Sequence, residues 1–175
     1  MKKLVLTYGL IAGLLSSAWM TISVMAGFDH MDTSMGMLLG FASMILGFSF
    51  IFVAVRKYRD DHSGGTITFG KAFKIGLYIS LIAATIYVIS WLIDYYFFIP
   101  DFMEQYAAKT IEQMRTDGVP AATIEAEAAD MAKFREMYKN PLFVAAITYT
   151  EILPVGLIIS LICALILKRS PKPAY

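Results

Sequence analysis

Four stretches of this sequence are apolar for long enough to cross a lipid bilayer, and that constrains everything else about the chain. They run from Leu4 to Met25, Gly36 to Val55, Ile75 to Phe98 and Pro141 to Leu167. A crossing helix needs about 20 apolar residues, because each residue advances about 1.5 Å through a hydrocarbon layer about 30 Å thick. Inside that layer every backbone N–H and C=O must find a partner within its own segment, which helices provide. Of the residues, 58% are hydrophobic, a larger apolar share than a soluble domain of this size carries. The expected fold is therefore all-α: a polytopic membrane protein forming one integral membrane domain over 1–175. Its four-transmembrane-helix bundle has spans at about 4–25, 36–55, 75–98 and 144–167.

The first run follows Lys2 and Lys3, and Val24-Met25-Ala26 resembles a small-residue cleavage site, as in a signal peptide. Its length and Trp19 near the far end favour a retained helix with an interfacial anchor. The second run stops at Arg56-Lys57-Tyr58-Arg59-Asp60-Asp61, and the fourth at Lys168-Arg169. Ahead of the third, Gly64-Gly65 marks a turn and Thr66 or Thr68 can cap a helix start. Phe69 and Phe73 then share one face and Lys71 and Lys74 another, the pattern of an interfacial elbow feeding the span.

Lys and Arg give the orientation. Lys2, Lys3, Arg56, Lys57, Arg59, Lys71, Lys74, Lys168, Arg169 and Lys172 all fall at the termini or in the second-to-third connection. The connection from Gly27 to Met35 has none. By the positive-inside rule both termini are cytoplasmic, and the aromatic set Trp91, Tyr95, Tyr96, Phe97, Phe98 and Tyr149 marks the outer interface.

The long polar stretch from Asp101 to Asn140 is then extracytoplasmic. Its apolar residues recur at helical spacing, as Met103, Tyr106, Ile111 and Met114, then Ile124, Ala128, Met131, Phe134 and Tyr138. Between the two stripes, Gly118 suits a left-handed C-terminal cap and Pro120 a first helical turn. This predicts an extracytoplasmic helical hairpin over 101–140, between spans 3 and 4. It is acidic in balance, which reads as a solvated pair or as a partner-binding surface.

Close helix contact in lipid uses small residues at four-residue spacing. The first span offers Gly9, Gly13 and Ser17, the second Gly36, Gly40, Ser43 and Gly47, and the fourth Gly156, Ser160 and Ala164. The third, with bulkier Tyr78, Ile82, Ile86 and Ile89, is expected to cover the remaining face.

Three segments carry a family resemblance. They are Gly65-Thr66-Ile67-Thr68-Phe69-Gly70-Lys71-Ala72-Phe73-Lys74-Ile75-Gly76, Pro100-Asp101-Phe102-Met103-Glu104-Gln105-Tyr106 and Glu151-Ile152-Leu153-Pro154-Val155-Gly156-Leu157-Ile158-Ile159-Ser160-Leu161. Together they resemble the bacterial membrane family catalogued as domain of unknown function 4199. The resemblance implies a small bacterial inner-membrane protein and brings no catalytic residues with it.

Two carboxylates stand out as a candidate polar membrane site. Glu151 lies in the fourth run, three residues before Pro154, which frees a backbone carbonyl one turn back. Asp94 lies at the outer end of the third. A carboxylate at the bilayer centre costs roughly 3 kcal/mol and less toward the interface. Buried together the pair would form a proton or cation site; in the headgroups each would simply be hydrated. The first outer connection holds Asp29, His30, Met31, Asp32, Met35 and Met37, soft and hard metal ligands at a spacing that matches no defined site. Methionine is also a common apolar filler. No metal or other cofactor is expected. The lone Cys163 excludes an intramolecular disulfide and a thiolate zinc cluster.

No nucleophile elbow, phosphate-cradling glycine loop or His-Glu-x-x-His helix is present, so no enzyme is expected. The basic residues flank membrane spans, which suits anionic lipid headgroups and gives no nucleic-acid patch. Expected partners are the bilayer itself and a second copy or another protein at the hairpin. Two functional readings stand: an accessory or scaffold protein of the inner membrane, or a small oligomeric transporter or channel component using Glu151 and Asp94.

Overall fold

The computed structural model describes residues 1–26 and 33–169. Among these it forms α1 (Lys2–Ala26), α2 (Thr33–His62), α3 (Phe69–Ile93), α4 (Phe102–Thr116), α5 (Ala121–Tyr138) and α6 (Pro141–Leu167). A π-helical turn at Asp94–Phe98 extends α3. Four helices are long and apolar enough to cross a membrane: α1, α2, α3 with its extension, and α6. Their outward faces carry the large apolar residues, as Leu6, Leu10 and Leu14 on α1 and Ile158, Leu161, Ile162 and Leu165 on α6 are exposed. In water such faces would be an aggregation hazard; against lipid tails they need no cover. A multi-pass membrane bundle follows.

Local signals set the helix ends. Thr68 is the N-cap of α3 and accepts from the Lys71 N–H at 3.3 Å. Gly64 and Gly65 make the preceding turn at φ 58 and 79, conformations that cost other residues energy. The predicted elbow is not a separate element. Phe69 and Lys71 belong to the first turn of α3 itself, which runs unbroken into the span. Likewise α2 continues beyond Val55 through its charged residues to His62, with Arg56–Asp60 and Lys57–Asp61 one turn apart at 3.7 and 3.9 Å. Gly118 takes the left-handed conformation expected of it, φ 72, and the Val119 N–H closes back on the Met114 carbonyl. Pro120 is the residue just before α5, one place earlier than the first helical turn. Asn140 caps α6 by accepting from the Leu142 N–H at 3.0 Å, with Pro141 at its first position.

The directions of the spans come from their contacts. A Cβ at Gly9 would meet Ile82, and one at Gly13 would meet Ile86, so α1 and α3 run parallel. Further along, Thr21 bonds Asp94 at the same offset of 73 residues. The α3–α6 contact is antiparallel: a Cβ at Gly76 would meet Ser160, and one at Gly156 would meet Ser80, with the two hydroxyls 3.2 Å apart. Similarly, α2 reaches α1 where Gly47 admits Ser16. The N-terminus, the 63–68 turn and the end of α6 thus share one end of the bundle. There Ile67 and Arg169 exchange backbone hydrogen bonds at 3.1 and 2.9 Å.

Gly9 and Gly13 of the first span, Gly47 of the second and Gly156 and Ser160 of the fourth do line helix contacts, whereas Gly40 faces open space. The third span does not merely cover a remaining face. It packs on both α1 and α6, and it is the most buried of the four. Its bulky Ile82 and Ile86 fill the space above the α1 glycines, while its own Gly76 and Ser80 form half of the α3–α6 seam.

At the opposite end, α4 and α5 form the hairpin. Its base joins the bundle through an aromatic cluster containing Trp91, Tyr95, Met103, Tyr138 and Val144. Phe102 meets Trp91 edge-on at 5.1 Å and Tyr138 meets Tyr95 edge-on at 5.4 Å, the geometry that ring quadrupoles favour.

Candidate functional site

The hairpin does not sit flush on the bundle. Between them lies a cavity of about 550 Å³, walled by residues of all six helices. The upper halves of α1 and α2 supply Trp19, Met20, Gly40, Phe41 and Met44; α3 supplies Tyr87 and Trp91. The hairpin roofs it with Phe102, Tyr106, Lys109, Phe134 and Tyr138, and α6 contributes Thr148 and Glu151. Helical spacing explains these groups: Thr148 and Glu151, like Tyr87 and Trp91, lie three or four residues apart and so on one face of their helix. Gly40 lines the chamber and has open space where a side chain would stand. The volume and the mainly apolar lining with few polar groups are those of small-molecule sites.

Among the described residues Glu151 is the one carboxylate in that wall. Its side chain is exposed and contributes to the lining of this chamber. Among the described residues no donor bonds it and no cation pairs with it. Its influence is felt at Tyr138, whose phenol is pushed up to about 12, first by burial and second by the Glu151 charge. Tyr138 therefore stays protonated near neutral pH and keeps a hydroxyl donor in the roof. The Thr148 hydroxyl is turned back to its own helix, donating to the Val144 carbonyl at 2.8 Å. Lys109 is the other charged residue of the lining and is engaged in a contact of its own.

Asp94 is placed elsewhere. Its side chain is 2% exposed in the π-helical turn and accepts from the Thr21 hydroxyl of α1 at 2.9 Å. The structure does not bring the two carboxylates together: Asp94 faces α1, and Glu151 faces the cavity. The π turn has a local cause, since the Ile99 N–H reaches back five residues to the Asp94 carbonyl at 3.0 Å before Pro100 ends the helix. Of the metal-ligand types in the first connection, Asp29, His30, Met31 and Asp32 lie outside the described residues. Met35 and Met37 fall in the first turns of α2. Cys163 is a buried free thiol.

Sequence reasoning found Glu151 as an anomaly but missed the chamber around it. The available signal was the aromatic and methionine content of segments predicted to meet at one end: Trp19, Met20, Phe41, Tyr87, Trp91, Phe102 and Tyr106.

Comparison with known proteins gives a family and names no activity. Searches of curated proteins and of solved structures gave no match. A family model described as "Protein of unknown function (DUF4199)" matches residues 7–169. That match takes in all four spans and the hairpin, and the chain belongs to this family of proteins of unknown function.

Proposed function

We propose that this chain is a non-enzymatic, multi-pass protein of the bacterial inner membrane that binds a small amphiphile in the chamber beneath its hairpin. The observation that carries the reading is the cavity itself: about 550 Å³, roofed and walled by aromatic rings, with Glu151 open to it. Its dimensions match those of ligand pockets, whose apolar walls provide affinity and whose few polar groups provide orientation. Binding is favoured over conduction because the bundle beyond the chamber is shut. Phe48, Ile51, Ile75, Ile79 and Ile152 are wholly buried there, with Met44 at its upper margin.

The chain contains two tryptophans, and Trp19 and Trp91 both line the chamber. Their fluorescence therefore reads its occupancy. A nitroxide-labelled dodecanol should quench the purified protein in a saturable manner. Gly40→Phe projects a ring into open space and should weaken that quenching about tenfold, the equivalent of losing about 1.4 kcal/mol of apolar contact. Quenching that never saturates, or that Gly40→Phe leaves unchanged, would sink the reading.

Orientation is part of the proposal. The clustering of Lys and Arg supports cytoplasmic termini and an extracytoplasmic hairpin and chamber. In a background lacking Cys163, a cysteine at Thr116 should react with an impermeant thiol reagent in intact cells. One at Ser63 should not. The reverse pattern would invert the topology.

A further inference from the structure

Resting on the reading of the chamber as a binding site, we infer that its ligand carries an ammonium group, held by Glu151 and the surrounding rings, on an apolar body. Three features of the wall lead there. Among the described residues Glu151 is the sole carboxylate of the lining, and nothing neutralises or hydrogen-bonds it. Glu151 is exposed and lines this chamber, whose mainly apolar walls screen its charge less than bulk water does. It therefore has an electrostatic vacancy that a cation of matching size fills.

The rings make the second feature. Tyr87 and Trp91 of α3 and Tyr138 of α5 line the same chamber as Glu151 of α6. The negative face of an aromatic ring attracts an ammonium within about 6 Å of its centre, and tryptophan does so most strongly. Rings from two helices lining one chamber with a carboxylate suit an alkylammonium better than a metal ion. A metal ion asks for several oxygen, nitrogen or sulfur donors, and the described residues contain no cluster of three acidic, histidine or cysteine side chains.

The third feature is the remaining volume. An ammonium group occupies a small part of about 550 Å³. Apart from Lys109, the rest of the described wall, including Met20, Phe41, Met44 and Phe134, is uncharged and suits an alkyl or aromatic body. The neutral Tyr138 hydroxyl and the Gln105 amide can take a hydroxyl or ester oxygen of the same molecule.

Two sources can supply this chemistry: the amine headgroup of a membrane lipid whose chains lie beside the spans, or a free lipophilic amine. The probes are dodecyl chains bearing the same nitroxide and a trimethylammonium, hydroxyl or phosphate head. Sharing one chain, they share a baseline of partition into the bilayer. Each is titrated against Trp19 and Trp91 fluorescence in nanodiscs of phosphatidylglycerol. The trimethylammonium probe should bind at least about tenfold more tightly than the hydroxyl probe. Glu151→Gln keeps the side-chain shape and removes the charge, and it disturbs no hydrogen bond of Glu151. It should erase that preference while leaving hydroxyl-probe binding within about twofold.

Equal saturable binding of all three heads, or the same preference in Glu151→Gln, would overturn the ammonium assignment and leave the binding chamber standing. Preference for the phosphate head would overturn it too, giving control of the site to Lys109. No saturable quenching by any probe would end both readings together. A second titration, in nanodiscs containing phosphatidylethanolamine, separates the sources. Competition that raises the apparent Kd of the trimethylammonium probe supports the ammonium site with lipid as its occupant. An unchanged Kd supports the site with a free amine as its occupant.

Discussion

Replacing Gly156 by leucine is expected to destabilise the packing of the four spans. A Cβ there would stand 2.7 Å from the Ser80 Oγ, 2.8 Å from the Ser80 Cβ and 2.9 Å from the Phe48 ring. No flexible side-chain tip is available to move aside. Ser80 is short, fully buried and tied by its hydroxyl to the Gly76 carbonyl at 3.0 Å, and Phe48 is fully buried in the core. The seam is also reciprocal, because Gly76 faces Ser160 as Gly156 faces Ser80. Parting α3 from α6 to admit a side chain would break the 3.2 Å hydroxyl contact and open both halves at once. Overpacking a dense core costs about 1–3 kcal/mol, and the larger figure applies where backbones must separate. In lipid the effect is acute, since helix association rests on close packing with little hydrophobic drive between the helices. A fall of several degrees in the unfolding temperature in detergent is the expected result. Gly70→Ala is the control. It lies in the first turn of α3 with nothing near its missing Cβ, so it should be neutral or gain up to about 1 kcal/mol from helix propensity. Equal melting temperatures for Gly156→Leu and Gly70→Ala would remove the seam from the account.

The seam also shows what the sequence reveals and what it conceals. Span number and approximate limits were legible because a hydrocarbon layer of fixed thickness demands a fixed length of apolar helix. Thr68 and Gly118 were legible because capping and left-handed turns are local chemistry, written within four residues of where they act. The role of α3 was misread for a reason that lies in its composition. Tyr78, Ile82, Ile86 and Ile89 dominate its average character, and they obscure Gly76 and Ser80 on another face of the same helix. Reading the span face by face would have recovered that spacing. The Thr21–Asp94 bond is less accessible still. It joins two parallel helices separated by a complete excursion across the bundle and back, and sequence order favours pairing antiparallel neighbours. The chamber around Glu151 is a property of six helices at once, so no single stretch encodes it. Glu151 was visible as an oddity because an apolar run makes a lone carboxylate conspicuous, whereas its surroundings depend on where the hairpin comes to rest.

That resting place should depend on Trp91 more than on any charge. Trp91→Ala is expected to release the hairpin while leaving the four spans assembled. The indole is nearly buried at the junction of bundle and hairpin, with Phe102 of α4 edge-on at 5.1 Å and Tyr95 at 6.1 Å. Removing a buried tryptophan side chain costs about 3–5 kcal/mol, part of it for the void left behind. Here the loss falls on the interface that holds α4 and α5 down. The main core that joins the spans is a separate cluster, built from residues such as Met44, Phe48, Ile51 and Ile79, and Trp91 is not among them. The Arg135–Glu104 ion pair at 2.8 Å links the two hairpin helices but lies in solvent, where such pairs contribute under about 1 kcal/mol. Hydrogen exchange measured along the chain separates these roles. In Trp91→Ala, amides of residues 106–116 and 124–138 should exchange about a hundredfold faster, the equivalent of about 3 kcal/mol in the local opening equilibrium. Amides of α3 below Ala84 should keep their protection. Glu104→Gln should change hairpin exchange by less than about fivefold. A greater effect from Glu104→Gln than from Trp91→Ala would show that charge holds the roof of the chamber in place. Uniform deprotection of every helix in Trp91→Ala would show instead that hairpin and spans form one cooperative unit, since stability is shared evenly only where no element can open alone.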